Sequence, residues 1–212
     1  MKIDYSAMHQ RLTTMGEEEK IPFLQSSLPD LWCAAYAIRF PDSNPMFIDI
    51  KSFQVIFDLT SKAEEHSADW REDRVIAVHG LSTPPQTGRD AARMRGYLGK
   101  TYEVFGPDTD KGHFIAHSAG GDVLDSVAWF PQDRRLNRGW SEEGRQFRDM
   151  ERYCANNPGV FLFSRPLYAD RTTRPSHLEF GILRDGHLAI RLFNNRRTPA
   201  TPSPPPSGYP TG

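Results

Sequence analysis

Two alternating runs, Leu178–Leu183 and Leu188–Phe193, flank the tripeptide Arg184-Asp185-Gly186. Asp-Gly between alternating apolar runs is a strong short-range signal for a tight antiparallel hairpin, because both turn positions favour the left-handed backbone. The chain must therefore build at least part of an antiparallel sheet. Val160–Ser164 precedes the pair with similar patterning, and Arg74–His79 (RVIAVH) is rich in β-branched residues, so both read as strands. Helical signals occur elsewhere, and α+β is the expected class. Of the 212 residues, 38% are hydrophobic and 25% charged, the balance of a globular chain with a real core.

Three segments are expected. Residues 1–73 form an N-terminal extension, mainly helical, with short amphipathic pieces at Ser6–Met15 and Glu17–Leu28 and with Pro22 in the first turn of the second. The denser stretches Leu31–Ile38 and Phe47–Leu59 are open to either strand or buried helix. Residues 74–195 form the main domain. Residues 196–212 are read as a Pro/Ser/Thr-rich disordered tail, with six of the 17 prolines.

Lys plus Arg number 26 and Asp plus Glu 27, a net charge of −1, which excludes a histone-like electrostatic blanket. The longest apolar run, Leu31–Ile38, is far short of the ~18 residues that a membrane span needs, so no membrane partner is expected. The start, MKIDYSAMHQRL, lacks the apolar core of a secretion signal. A cytoplasmic location, or export by a signal-peptide-independent route, follows as the expectation. Cys33 and Cys154 are read as free buried thiols.

One helix starts at Ser141, a good N-cap, with Glu142 and Glu143 suited to the positive end of the helix dipole. Trp140, Phe147, Met150 and Cys154 share one face; Arg145, Arg148 and Arg152 share the opposite one. Glu151 lies at the edge of the apolar stripe, where a carboxylate needs a partner. Upstream runs DKGHFIAHSAGG, residues 110–121. Gly112 is expected to bend the chain before His113, Phe114 and Ile115 to continue a short strand, and Gly120-Gly121 to turn it. FPQDRRLNRGW follows and sets Asn137 just ahead of the helix.

An imidazole can take a proton from water near neutral pH. An amide oxygen is a hard, neutral ligand suited to Mg²⁺, and a nearby carboxylate can orient the ion's waters. The set suits phosphodiester hydrolysis. His117 with Cys154 offers a zinc reading, without a closely spaced ligand pair elsewhere.

DKGHFIAHSAGG, FPQDRRLNRGW and MERY, in that order, resemble the DNA/RNA non-specific endonuclease family. FLFSRPLYAD and PSHLEFGIL resemble its late strands. The resemblance covers about residues 74–195. It implies a ββα-metal nuclease core that cleaves DNA and RNA with Mg²⁺, Mn²⁺ able to substitute. It implies His113 as general base, Asn137 as direct metal ligand, Glu151 as orienter of the metal's water shell and Asp110 as support. Lys111 stands where the family usually has Arg, and Ala128 where members often have Asn. Glu151 lies 14 residues after Asn137, a longer spacing than in compact members, which leaves Glu142 or Glu143 as substitutes. Arg89 and Arg93 are candidates to stabilise the transition state, with Arg152 as a third. Arg134, Arg135, Arg138, Arg145 and Arg148 are candidates for tracking phosphates.

A short nuclease without a leader needs restraint, so an inhibitor or immunity protein is an expected partner beside DNA and RNA. Two alternatives stay open: a toxin or defence nuclease preferring RNA or DNA, and a nucleic-acid-binding module that has lost its chemistry.

Overall fold

The structure is a computed structural model that describes residues 3–59, 72–85, 108–121 and 128–195. Elements run α1 (Ser6–Leu12), α2 (Glu17–Ala37), β1 (Pro45–Ile50), β2 (Phe53–Asp58), β3 (Arg74–Leu81), β4 (Thr109–His113) and β5 (Trp129–Asp133). They continue with α3 (Arg134–Asn137), α4 (Glu142–Asn156), β6 (Phe161–Leu167), β7 (His177–Arg184) and β8 (His187–Asn194). The fold is α+β, as expected. Six strands form one sheet in the order β1-β2-β3-β6-β7-β8, and β4 and β5 form a separate ribbon. Every pairing is antiparallel.

The β7–β8 hairpin turns where the sequence placed it. Asp185 and Gly186 both have positive φ, 50° and 74°, the signature of a primed two-residue turn. The open segment Phe47–Leu59 resolves into β1 and β2, joined at Lys51-Ser52. Because β2 pairs with β3, the large sheet runs straight across the division drawn after residue 73.

The other open segment, Leu31–Ile38, is helical. It merges with Glu17–Leu28 into one 21-residue helix that carries Pro22 and Pro29 inside it. Pro22 is the sixth helical residue, not part of the first turn. An interior proline costs a helix about 3 kcal/mol or more. The stripe Leu24, Leu28, Trp32, Ala35 and Tyr36 is buried, and each large side chain contributes about 1.5–3 kcal/mol, which outweighs the break.

The two faces of the sheet hold separate cores. On one, Leu12, Leu24, Leu28 and Trp32 from α1 and α2 pack on Ile56, Phe161, Phe163 and Leu188. On the other, Phe114, Phe130, Leu136, Phe147 and Cys154 pack on Val55, Val78, Leu162, Phe180 and Phe193. The β4–β5 ribbon and α4 thus cover the face opposite the long helix. Asn195, fully buried, fastens the ribbon to the end of the sheet. Its amide nitrogen donates to the carbonyls of Pro131 (2.9 Å) and Pro175 (2.8 Å), and its oxygen accepts from the Asp133 N–H (2.8 Å).

Candidate active site

Strand β4 ends at His113. Phe114 and Ile115 do not continue it: the chain bends there into a 3₁₀ turn, His117–Ala119. His117 therefore does not share a strand face with His113. Gly112 lies in regular pairing rather than at a bend, opposite Phe130. Its small size has another cause, since a Cβ there would overlap the Gln132 side chain. Ala128, just before β5, extends the pairing through its carbonyl, which accepts the Phe114 N–H at 3.0 Å.

Directly after β5, Asp133 caps α3, its carboxylate accepting the N–H groups of Arg135 (2.9 Å) and Leu136 (3.1 Å). One turn of helix then delivers Arg134, Asn137 and Arg138 to Asp110 on β4. Arg138 grips both carboxylate oxygens, Nε to Oδ2 at 2.7 Å and Nη2 to Oδ1 at 3.0 Å. Arg134 Nε reaches Oδ1 at 3.2 Å, and Asn137 Nδ2 donates to Oδ2 at 3.1 Å. Burial pushes the Asp110 carboxyl up, but the bonds from Arg138, Asn137 and Arg134 outweigh it and hold it below its ordinary value.

This arrangement orients the amide. A carboxylate only accepts, so Asn137 must turn its NH₂ toward Asp110. The amide oxygen accepts no hydrogen bond from a described residue, which leaves a neutral oxygen donor at the end of a pinned helix.

Lys111 and His113 alternate with Asp110 and Gly112 and so project from the other pleat face. Both lie against Trp129: the His113 ring at 4.7 Å between centroids, Lys111 Nζ at 5.6 Å from the indole centre. No hydrogen bond joins His113 to Asn137, nor Glu151 to either. The structure brings Asp110, Asn137, Arg134 and Arg138 together and sets His113 on the same strand, three residues on.

Helix α4 begins as the sequence implied, with Ser141 Oγ accepting the Gly144 N–H at 3.0 Å. Glu151 is buried beneath it, and burial raises its carboxyl to about 7 against the opposing pull of Arg148, whose Nη1 lies 3.2 Å from Oε2. Its neighbour Cys154 is buried too, and the thiol is pushed up to about 12, chiefly by burial. Both cysteines are free thiols.

The five arginines expected to track phosphates divide. Arg134 and Arg138 neutralise Asp110, and Arg148 pairs with Glu151. Arg135 and Arg145 are exposed and make no ion pair with a described residue. Arg152 pairs with Asp149. Arg89 and Arg93, like the expected tail after residue 195, lie outside the described residues. Trp140 was placed with the apolar face of α4, but it is 59% exposed and lies under Arg138.

Asn195 and Asp133 are the positioning residues that sequence reading passed over. Asp133 before Arg-Arg-Leu-Asn is a legible cap signal, whereas nothing local marks Asn195. Among the described residues no three His, Cys, Asp or Glu side chains cluster as a metal site. No described helix is long and apolar enough to cross a membrane. Compared with known protein families and with curated proteins, the chain matches none.

Proposed function

We propose that the chain is a metal-dependent, sugar-non-specific endonuclease and that β4, β5 and α4 are its ββα-metal core. The observation that carries this reading is the Asp110–Asn137 bond, which fixes an amide on a short helix with its nitrogen, not its oxygen, toward Asp110. Mg²⁺ fits such a donor, because it keeps most of its waters and accepts few protein ligands. Bound there, it would offset the negative charge that develops on the phosphate oxygens. Asn137 Oδ1 would hold the ion, and Mn²⁺ would substitute. His113 takes the proton from the attacking water. Asp110 acts through Asn137, and Lys111, standing where the family pattern has Arg, offers a positive charge on the His113 face. Glu151 would hold the ion's waters by hydrogen bonds. DNA and RNA are the proposed substrates, with an inhibitor protein restraining the activity.

The test is digestion of plasmid and total RNA with Mg²⁺ or Mn²⁺, each with an EDTA control. His113→Ala should reduce cleavage by about 100-fold or more, the range of general-base catalysis, with folding intact. Asn137→Ala should lose both rate and Mn²⁺ binding followed by titration. Normal turnover in either variant ends the assignment.

A second reading, a binding module without chemistry, draws on the strand alternation that sets His113 on the pleat face away from Asp110 and Asn137. Binding of nucleic acid with no cleavage under any metal would select it.

A further inference from the structure

The loop between α3 and α4 holds an aromatic side chain where a buried one is the norm. Helix α3 ends in a Schellman motif. The Trp140 N–H bonds the Arg135 carbonyl at 2.9 Å and the Gly139 N–H bonds the Leu136 carbonyl at 3.3 Å, with Gly139 at φ 72°. The residue in Trp140's position of this motif usually packs back on its own helix. Here the indole turns outward instead, 59% exposed.

Its backbone has little freedom. The motif fixes it on one side, and on the other Ser141 is already the cap of α4. One ring face is covered by the Arg138 guanidinium, 5.0 Å from the indole centre, and that guanidinium is itself locked by its fork on Asp110. The result is a rigid aromatic plane, backed by a pinned cation and open to solvent, three residues from Asn137. Arg135 and Arg145, exposed and without acidic partners among the described residues, come from α3 and the first turn of α4, on either side of this loop.

We infer that Trp140 is a stacking platform for one unpaired nucleobase, with Arg135 and Arg145 on the flanking phosphates, so that the proposed nuclease engages single strands ahead of duplex. The inference rests on the nucleic-acid reading above and names its preferred substrate form. A flat indole face takes any base, which agrees with sequence-tolerant binding. Bases stacked within a duplex cannot reach it without being unpaired.

The experiment is equilibrium binding of the full chain in EDTA, so that cleavage plays no part, by fluorescence anisotropy with a 12-mer oligo-dT and a 12-base-pair duplex. Trp140→Ala should weaken oligo-dT binding about ten-fold or more, the effect of losing one stacked base, and change duplex binding less than about two-fold. Trp140→Phe should keep most of the single-strand affinity. Circular dichroism of each variant checks the fold, which an exposed side chain should leave intact. Unchanged oligo-dT binding in Trp140→Ala, or an equal loss on both ligands, overturns the inference. The nuclease reading fails separately. Trp140-dependent binding with no cleavage in any metal defeats the chemistry and keeps the platform, whereas cleavage with Trp140-independent binding defeats the platform alone.

Discussion

The two faces of the large sheet use the same acid–base vocabulary in opposite ways. Under α1 and α2, Arg165 and Glu179 form an ion pair in which both side chains are only 4% exposed. Tyr5 adds its hydroxyl to Glu179 at 2.6 Å, and Trp32 Nε1 donates to that hydroxyl at 3.1 Å. Nearby, Arg74 Nε donates to the Tyr36 hydroxyl, which donates to Asp58. Beneath the β4–β5 ribbon the acids are sheltered but the bases are wet. Asp110 is 12% exposed beside an Arg138 that is 47% exposed, and Glu151 is 10% exposed beside an Arg148 that is 52% exposed. A pair that is dry on both sides contributes to the fold and to little else. A sheltered acid holding a solvent-facing arginine leaves chemistry at the surface.

That contrast is broken most directly at Glu179. Glu179→Ala removes the carboxylate of a pair that is buried on both sides, and should lower unfolding stability by about 3–5 kcal/mol in urea titration. Asp110→Asn should cost much less, about 1–2 kcal/mol, because Arg134 and Arg138 can turn to water. Under the proposed function it should nonetheless impair Mn²⁺ binding by loosening Asn137. Equal stability losses from the two substitutions would erase the distinction between the faces.

A second effect concerns acid. His79 is buried on the helix side between Trp32 (5.5 Å) and Phe161 (6.2 Å), and neither ring nitrogen has a hydrogen-bond partner among the described residues. Burial lowers its pKa from 6.5 to about 4, with Asp49 opposing. The unfolded chain therefore binds more protons between pH 6.5 and 4, and this contribution to stability is lost as pH falls through that window. Glu151 runs the other way. Its pKa is raised from 4.5 to about 7, so the folded chain binds more protons and stability falls as pH rises from 4.5 to 7. The two contributions therefore oppose each other between pH 4.5 and 6.5. Denaturation of Glu151→Gln across that range should uncover a rising profile, and His79→Gln a falling one. Flat profiles in both would show that neither group is held out of its ordinary range.

What the sequence disclosed follows the range of the interactions. The β7–β8 turn and the Ser141 cap are set by neighbours within four residues, and both were legible. Phe47–Leu59 was ambiguous because it lacks clean alternation, and pairing with β3 decided it. The expected piece Glu17–Leu28 stopped short of Pro29, since nothing local reveals that Trp32 and Tyr36 bury beyond it. Of the site, Glu151 announced itself by a charge at the edge of an apolar stripe. The partner of Arg134 and Arg138 lies 24 and 28 residues away on β4, so these side chains were read with the other phosphate-tracking candidates. Trp140 was misassigned for a related reason: it was counted into the helix that follows, although its backbone closes the helix before it.

The smallest expected effects fall on the two exposed arginines, and they sharpen the comparison within one face. Arg135→Ala and Arg145→Ala should each change stability by no more than about 0.5 kcal/mol, as ordinary surface substitutions do. Each should also lower the slope of log affinity against log salt by about 0.7 on oligo-dT, the share of one phosphate contact with a single strand. Arg134→Ala is the informative partner. Its charge already faces Asp110, so it should move the salt slope less than either of the others, while loosening the grip of α3 on β4. If all three lower the slope alike, Asp110 does not neutralise Arg134 toward solvent, and the division between arginines that position and arginines that bind must be redrawn around exposure alone.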